Sequence, residues 1–133
     1  MFSNSTKYAI RTVLFLAKNG DKKYTVPELG TELDIPKPFL SKILQQLSKN
    51  GIISSTKGRG GGFFLDKSNL KKKMIDIIIT IEGHNIFDKC VLGLPECSNK
   101  NPCWLHDDYS DFKNKMEKSV FRYSIGKIIE TEI

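Results

Sequence analysis

The feature that most constrains this chain is a pair of helical segments joined by a very short turn and followed by a glycine-rich stretch. Thr25 and Glu28 have the spacing of a helix N-terminal capping box, so we predict a short helix over 26–33. Residues 34–36, Asp-Ile-Pro, leave room only for a tight connection before a longer helix over 37–50. A short helix, a tight turn and a longer helix predict a helix-turn-helix.

A basic hairpin is predicted directly after this pair. Residues 52–56 and 62–65 have the composition of short strands, and the stretch KGRGGG lies between them with Lys57 and Arg59 at its tip. The stretch is not predicted to be a nucleotide-binding phosphate loop, because a strand-like FFLD follows it instead of a helix. The fold class is therefore predicted to be mainly α with a small β-hairpin wing, a winged helix-turn-helix.

Three further segments have helical patterns. The first, over 5–19, ends at Asn-Gly. The second, over 71–83, is rich in β-branched residues and could form a strand, but its spacing and its terminal Glu-Gly favour a helix. The third, over 103–131, is predicted to be one long helix with a heptad-like stripe that pairs with a second copy or packs on its own domain. The stripe consists of Leu105, Tyr109, Phe112, Met116, Val120 and Tyr123.

The pattern divides the chain into two parts. Residues 1–83 are predicted to form the winged helix-turn-helix DNA-binding domain, and residues 84–133 the cysteine loop and a C-terminal dimerisation helix. Residues 1–66 hold ten Lys and Arg against five Asp and Glu, whereas 67–133 hold eleven against ten. This excess of positive charge in the first half favours a polyanionic partner there, although mild basicity can also serve only solubility.

The longer helix of the pair separates into an apolar face and a polar, basic face. Because a recognition helix reaches base edges in the major groove with its N-terminal part, we predict double-stranded DNA as the partner. Gln45 suits an adenine edge, the lysines suit guanine or phosphate, and the wing suits phosphate or the minor groove. The alternative is a solvated helix face and a loop whose glycines serve only the turn. The predicted DNA-binding residues are Lys37, Pro38, Ser41, Lys42, Gln45, Lys57 and Arg59.

The stretch CVLGLPECSNKNPCWLH collects all three cysteines of the chain, an odd number that favours metal or redox chemistry over a disulfide framework. Six residues separate Cys90 from Cys97, five separate Cys97 from Cys103, and two separate Cys103 from His106. Pro102 is placed to begin the long helix, whose face would aim Cys103 and His106 at one ion. Three thiolates and one nitrogen suit zinc or an iron–sulfur cluster; the wide gaps favour the cluster, and plain reactive or structural thiols are the third interpretation.

Several function classes are excluded or disfavoured. No apolar run is long enough to cross a membrane, and charged residues interrupt the N-terminal segment, so we expect a cytoplasmic protein without a signal peptide. An enzyme is not expected, because the chain has no C-x-x-C motif and no recognisable Ser, His and Asp arrangement. His84 is interpreted as a turn residue, and Trp104 as core packing in preference to a lid over the cysteines.

These segments together resemble a known family. STKYAIRTVLFLA, PELGTELDIPKPFLSKILQQLSKNGII, STKGRGGGFFL, MIDIIITIEG and the three-cysteine loop are similar to the bacterial winged-helix regulators of the IscR, NsrR and CymR family. The resemblance covers nearly the whole chain. It implies a homodimeric transcription regulator whose long helices form the dimer interface and whose wings and recognition helices bind a palindromic operator.

The same resemblance bears on the cysteine loop. Several members of the family hold a 2Fe–2S or 4Fe–4S cluster there, whereas CymR-like members have none. The IscR-like pattern implies Cys90, Cys97, Cys103 and His106 as ligands. In NsrR-like members an acidic residue on the partner's first helix completes the site, but the matching position here is Lys7, which favours His106 as the fourth ligand.

Overall fold

The computed structural model describes residues 2–131, and these are mainly helical with one small antiparallel hairpin, as the sequence predicts. Two short 3₁₀ turns, Asn69–Lys71 and Ile86–Asp88, flank the fourth helix. In chain order the elements are α1 (Asn4–Lys18), α2 (Val26–Leu33), α3 (Lys37–Lys49), β1 (Ser54–Thr56), β2 (Gly62–Phe64), α4 (Met74–Glu82), α5 (His106–Arg122) and α6 (Ile125–Ile129).

Helices α2 and α3 form the predicted helix-turn-helix. The Thr25 side chain accepts from the Glu28 backbone N–H, and the Glu28 carboxylate accepts in return from the Thr25 N–H, which completes the capping box. The turn is closed by Asp34, whose φ of 53° lies in the left-handed region that Asp tolerates better than most residues. Arg11 of α1 donates to the Leu33 carbonyl at the end of α2, which ties the first helix to the motif.

The hairpin between β1 and β2 is the predicted wing, although its strands are shorter than the sequence suggests. Ile52 and Ile53 do not extend β1; both are buried in the core, because Ile52 donates back to the Leu47 carbonyl at the end of α3. Tyr24 forms a separate antiparallel bridge to β2 by exchanging backbone hydrogen bonds with Phe63. A Cβ on Gly62 would lie 2.7 Å from the Tyr24 carbonyl oxygen, so this close approach requires glycine.

The main hydrophobic core lies beneath α3, and side chains from most elements contribute to it. The apolar stripe predicted for α3 is buried in it, so the face opposite that stripe is left exposed. Fully or nearly fully buried members are Val13, Leu16, Leu29, Leu40, Ile43, Leu44, Leu47, Ile52, Ile53, Ile77 and Ile125.

The isoleucine-rich segment forms helix α4, which confirms the helical interpretation over the strand. It tolerates so many β-branched residues because it is buried on two sides. Ile77 packs in the main core, whereas Ile75 and Ile78 pack in a second cluster with Ile86 and Phe87.

The prediction of a single helix over 103–131 is wrong, because the structure has two separate helices in this segment. Helix α5 ends at Arg122, Tyr123 is extended, and Ser124 caps the separate helix α6 by accepting from the Lys127 N–H. The break is stabilised because Ile125 becomes fully buried in the main core and its N–H donates to the Lys72 carbonyl at 2.7 Å. Burial of a large side chain outweighs the backbone hydrogen bonds that a continuous helix would add.

This break brings the C-terminal end of the chain back to the first part. The predicted division at residue 83 stays a prediction, but α6 lies beyond that boundary and packs on α1 and the Asn69–Lys71 turn. No residue between 88 and 124 is buried; this stretch is a loop followed by the largely exposed helix α5, which contacts α4 and packs Val120 against the second cluster.

Candidate nucleic-acid interface and metal centre

The exposed face of α3 carries the residues predicted for DNA recognition. Lys37, Pro38, Lys42 and Gln45 are exposed and Ser41 is half-buried, whereas the opposite stripe is buried. Helix α3 has three lysines and no acidic residue, so every charge on its free surface is positive. A helix of 13 residues with such a face has the dimensions and charge to lie in a major groove.

The wing places its two predicted cations beyond the end of the strands. Lys57 and Arg59 are both exposed in the loop between β1 and β2. Ser48 of α3 lies 3.4 Å from Ser55 of β1 between side-chain oxygens, so the wing is joined to the flank of the recognition helix. The two basic surfaces therefore lie next to each other.

Phe39 is a residue of this surface that sequence reasoning missed. Its side chain is 58% exposed, and among residues 2–89 it is the one large hydrophobic residue that the structure leaves exposed. It lines an open groove of about 440 Å³ together with Ser3, Lys42 and Gln46. The signal was available, since position 39 falls one residue outside the buried stripe of α3.

The three cysteines converge although they are far apart in the loop. All three Sγ atoms lie within 4.8 Å of one another, and Cys90 Sγ is 3.8 Å from Cys103 Sγ. His106 Nδ1 approaches from one side, 3.4 Å from Cys97 Sγ, so the donors form two close pairs. They line a cavity of about 310 Å³ together with Asp88, Lys89, Val91, Ser98, Asn99, Tyr109 and Lys113.

The loop reaches this arrangement through backbone turns, and the predicted helical placement of Cys103 is wrong. Helix α5 begins at His106, so Cys103 lies before it, in a turn in which the His106 N–H donates to the Cys103 carbonyl. Pro102 therefore does not begin the helix. A second turn from Cys90 to Gly93 is closed by the Gly93 N–H, and Gly93 there has a φ of 71°.

The thiols are electrostatically unequal. Backbone N–H groups of Leu94 and Leu92, together with the neighbouring thiols, lower the pKa of Cys90 to about 7. The Cys103 N–H donates to Cys97 Sγ and favours its thiolate, but desolvation and the two other thiols outweigh this effect and raise the pKa of Cys97. The lowered pKa of Cys90 favours its thiolate at neutral pH, and the thiolate is the form that acts as a metal ligand or nucleophile.

The exposure of Trp104, His84 and Lys7 tests how each of them was interpreted from the sequence. Trp104 does not pack in the core as predicted; it is 80% exposed, because the turn before α5 directs it outward. His84 lies in an exposed turn, as predicted. Lys7, the position that matches the acidic ligand of NsrR-like proteins, is exposed on α1.

One contact joins the segment that enters the loop to the start of α1. Glu82, the last residue of α4, accepts from the Ser3 N–H at 2.8 Å and from the Thr6 hydroxyl at 2.6 Å. Desolvation raises the pKa of Glu82, but these hydrogen bonds outweigh it and lower the pKa overall. The entrance of the cysteine loop is thereby fixed against α1.

Comparison with known families finds one match along almost the whole chain. The family model Rrf2, described as an iron-dependent transcriptional regulator, matches residues 2–131. A putative HTH-type transcriptional regulator of Aquifex aeolicus is 33% identical over 134 aligned positions, which cover 99% of this chain and 93% of that protein.

Solved structures share the fold. CymR, the global cysteine regulator of B. subtilis, superimposes with a TM-score of 0.75 at 16% identity, covering 99% of this chain and 98% of CymR. The IscR of T. potens gives a TM-score of 0.69 at 20% identity, covering 98% of this chain and 86% of that IscR.

None of the helices within residues 2–131 is long and apolar enough to cross a membrane.

Proposed function

The chain belongs to the Rrf2 family of transcriptional regulators, and on that premise we propose that it binds operator DNA as a homodimer and senses through a cluster in its cysteine loop. The family consists of transcriptional regulators, so the chain is a regulator and not an enzyme, as the sequence predicts. The observation that carries the DNA-binding proposal is the exposed face of α3, whose charges are all positive, next to a wing with two exposed cations.

The contacts with DNA divide by chemistry. Pro38, Ser41 and Gln45 lie on the free face of α3 and reach base edges, whereas Lys37 and Lys42 hold phosphate or a guanine edge. Lys57 and Arg59 extend from the wing to phosphate or into the minor groove. The contacts with base edges give sequence preference, and the contacts of the lysines and Arg59 with phosphate give affinity.

The exposed surface of α5 supports the homodimer. None of its 17 residues is buried, although it carries apolar side chains such as Phe112 and Phe121, which are 54% and 46% exposed. A surface helix of this composition in one chain is expected to bury its stripe against a second helix. A two-fold dimer presents two recognition helices and therefore reads a palindromic operator.

The DNA-binding proposal is tested with a duplex selected from a random pool by the full-length protein. Binding at several salt concentrations should weaken steeply as salt rises, and analytical ultracentrifugation should give two chains per duplex. Ser41→Ala and Gln45→Ala should change the selected sequence, whereas Lys100→Ala, an exposed lysine in the cysteine loop, should change neither sequence nor affinity. A chain that stays monomeric and ignores every duplex would contradict the proposal.

The cysteine cavity has a donor set that fits a metal centre. Cys90, Cys97, Cys103 and His106 would hold it, and a separation of 3.8 Å between Cys90 and Cys103 is what two thiolates on one tetrahedral metal atom require. Cys97 and His106 form the second close pair, and with all three Sγ atoms within 4.8 Å of one another the four donors suit either one tetrahedral ion or, after a modest separation of the two pairs, an iron–sulfur cluster. The family's description as iron-dependent also favours iron, with zinc as the alternative occupant.

A bound centre would supply chemistry that thiols alone lack, since thiolate-ligated iron reacts with oxidants and nitric oxide and is lost when iron is scarce. The chain's own residues would transmit its state. The loop leaves α4 at Gly83 and enters α5 at His106, and Glu82 fixes the first of these points against α1. Occupancy would therefore change the position of α5 relative to the recognition helices, with a coupling of about 1–3 kcal/mol.

Sensing is tested by measuring iron, zinc and sulfide in protein kept free of oxygen, followed by DNA binding with and without the centre. We expect iron and sulfide in the wild type, none in Cys97→Ser, and a different DNA affinity for the two loading states. Zinc without sulfide would exclude the cluster. Equal DNA affinity in both states would remove sensing and leave DNA binding intact.

A second mode of sensing is favoured by the thiol geometry. Cys90 and Cys103 are close enough to form a disulfide after a movement of less than 2 Å, and the pKa of Cys90 is lowered to about 7. Hydrogen peroxide would take two electrons and two protons from the pair and be reduced to two waters. In metal-free protein, mass spectrometry should find this disulfide and a free Cys97; a disulfide that includes Cys97 would contradict it.

A further inference from the structure

Asn99 lies beside the candidate metal centre without being one of its ligands. Its side-chain oxygen is 3.1 Å from His106 Nε2, on the side of the imidazole ring opposite the cysteines. His106 Nδ1 in turn lies 3.4 Å from Cys97 Sγ. The two ring nitrogens therefore have different neighbours, an amide on one side and a thiol on the other.

The position of Asn99 is fixed by a short turn. Ser98 and Asn101 exchange backbone hydrogen bonds at 3.1 Å in both directions, and the Ser98 hydroxyl accepts a further bond from the Asn101 N–H. The Asn101 side chain also donates to the Glu96 carbonyl. These bonds hold residues 99 and 100 at the tip of the turn, with Asn99 facing the ring.

We propose that Asn99 is a positioning residue for His106: its oxygen accepts the Nε2 proton and so keeps the lone pair of the neutral imidazole on Nδ1, facing the thiols. A neutral imidazole has one protonated nitrogen, and the partner of that nitrogen decides which one it is. A metal-ligating histidine normally has such a partner on its second nitrogen. This inference rests on the proposed metal-binding function of the loop and adds a residue to it.

The assignment also explains how His106 can serve as a ligand from the start of a helix. As the first residue of α5 it lacks a preceding helical turn that would restrain its ring. Asn99, seven residues earlier, supplies that restraint from the opposite side of the loop. The ligand set is thereby completed by two parts of the loop that fold towards each other.

The test uses Co²⁺ as a probe, since its thiolate complexes absorb visibly, in full-length protein kept free of oxygen. Asn99→Ala should bind Co²⁺ about 10–100-fold more weakly than the wild type, and Asn99→Asp, which keeps an acceptor oxygen, should restore most of the affinity. The matched control is Lys100→Ala, the other residue at the tip of the turn, which should bind as the wild type does.

Two further measurements separate positioning from a general effect on the loop. In a His106→Ala background, Asn99→Ala should cause no additional loss, because the ring on which it acts is absent. Nitrogen-15 NMR of the metal-free protein should show His106 protonated on Nε2 in the wild type and a mixture of tautomers in Asn99→Ala.

The outcomes are distinguishable from failure of the metal-binding proposal itself. If Asn99→Ala binds Co²⁺ as tightly as the wild type, or loses affinity equally in the His106→Ala background, the positioning role is wrong. If the wild type binds neither Co²⁺ nor iron, the metal-binding function fails. In that case the tautomer measurement still decides whether Asn99 fixes the ring.

Discussion

The two parts of the molecule obtain their order in opposite ways. In residues 2–82, apolar side chains such as Leu44 and Leu47 are fully buried against one another within a single chain. Between residues 88 and 124 no side chain is buried, and large hydrophobic groups such as Trp104 and Phe112 are exposed. The first part is stabilised by a buried core, to which Ile125 of α6 also contributes, whereas the described residues 88–124 expose their thiols and apolar side chains at least in part.

The largest expected difference concerns stability. Leu47→Ala should lower the free energy of unfolding by about 2–5 kcal/mol, because it removes fully buried methyl groups and leaves a cavity. Leu94→Ala in the cysteine loop, where the side chain is 45% exposed, should change it by less than about 0.5 kcal/mol. Urea denaturation of metal-free protein measures both, and equal losses would show that the loop has a core of its own.

A smaller effect is expected at the wing. Gly62→Ala should cost about 1–3 kcal/mol, because its φ of 149° and the Tyr24 backbone at 2.7 Å leave no room for a Cβ. The matched control is Gly93→Ala in the cysteine loop, where φ is 71° but no atom lies within 4 Å of the added Cβ. Thermal unfolding should separate the two, with the larger decrease at Gly62.

The charge of the wing should affect affinity for DNA and not stability. Arg59→Ala should weaken binding to any duplex by about tenfold and reduce the salt dependence, because one phosphate contact is lost per chain. The cysteine-loop variant Lys100→Ala should leave both quantities unchanged. Fluorescence anisotropy at several salt concentrations measures them, and an unaltered Arg59→Ala would mean that the wing does not touch DNA.

The smallest expected effect concerns Phe39. Since its ring is 58% exposed, Phe39→Ala should leave the midpoint of thermal unfolding nearly unchanged. Apolar side chains contact thymine methyl groups, so its affinity for a selected duplex should fall about fourfold per half-site. Replacing thymine by deoxyuridine at the affected position should weaken the wild type and spare the variant. A variant that instead changes dimerisation would place Phe39 in a protein contact.

The first part of the molecule was largely predictable because its signals are local. The capping box at Thr25 and Glu28, the apolar stripe of α3 and the glycines of the wing each specify a conformation over a few residues, and the structure contains all of them. Phe39 was missed because α3 was divided into one apolar and one polar face, and Phe39 lies at the border between these two faces.

The second part was less predictable because its conformation depends on distant contacts. The end of α5 at Arg122 follows from the burial of Ile125 in the main core, and the heptad-like spacing within 103–131 does not indicate that burial. Ser124 was a capping signal that the heptad-like spacing concealed. Trp104 was expected to pack in the core, but its side chain is 80% exposed in the turn before α5.

The return of α6 to the first part has a mechanical consequence. The stretch from Gly83 to Tyr123 is an excursion whose two ends are attached to the same body, at Glu82 by hydrogen bonds to α1 and at Ile125 by burial. An inserted residue in the exposed loop before His106 can be absorbed there, whereas a displacement of α5 would act directly on the attachment at Ile125 and so on the body that carries α3.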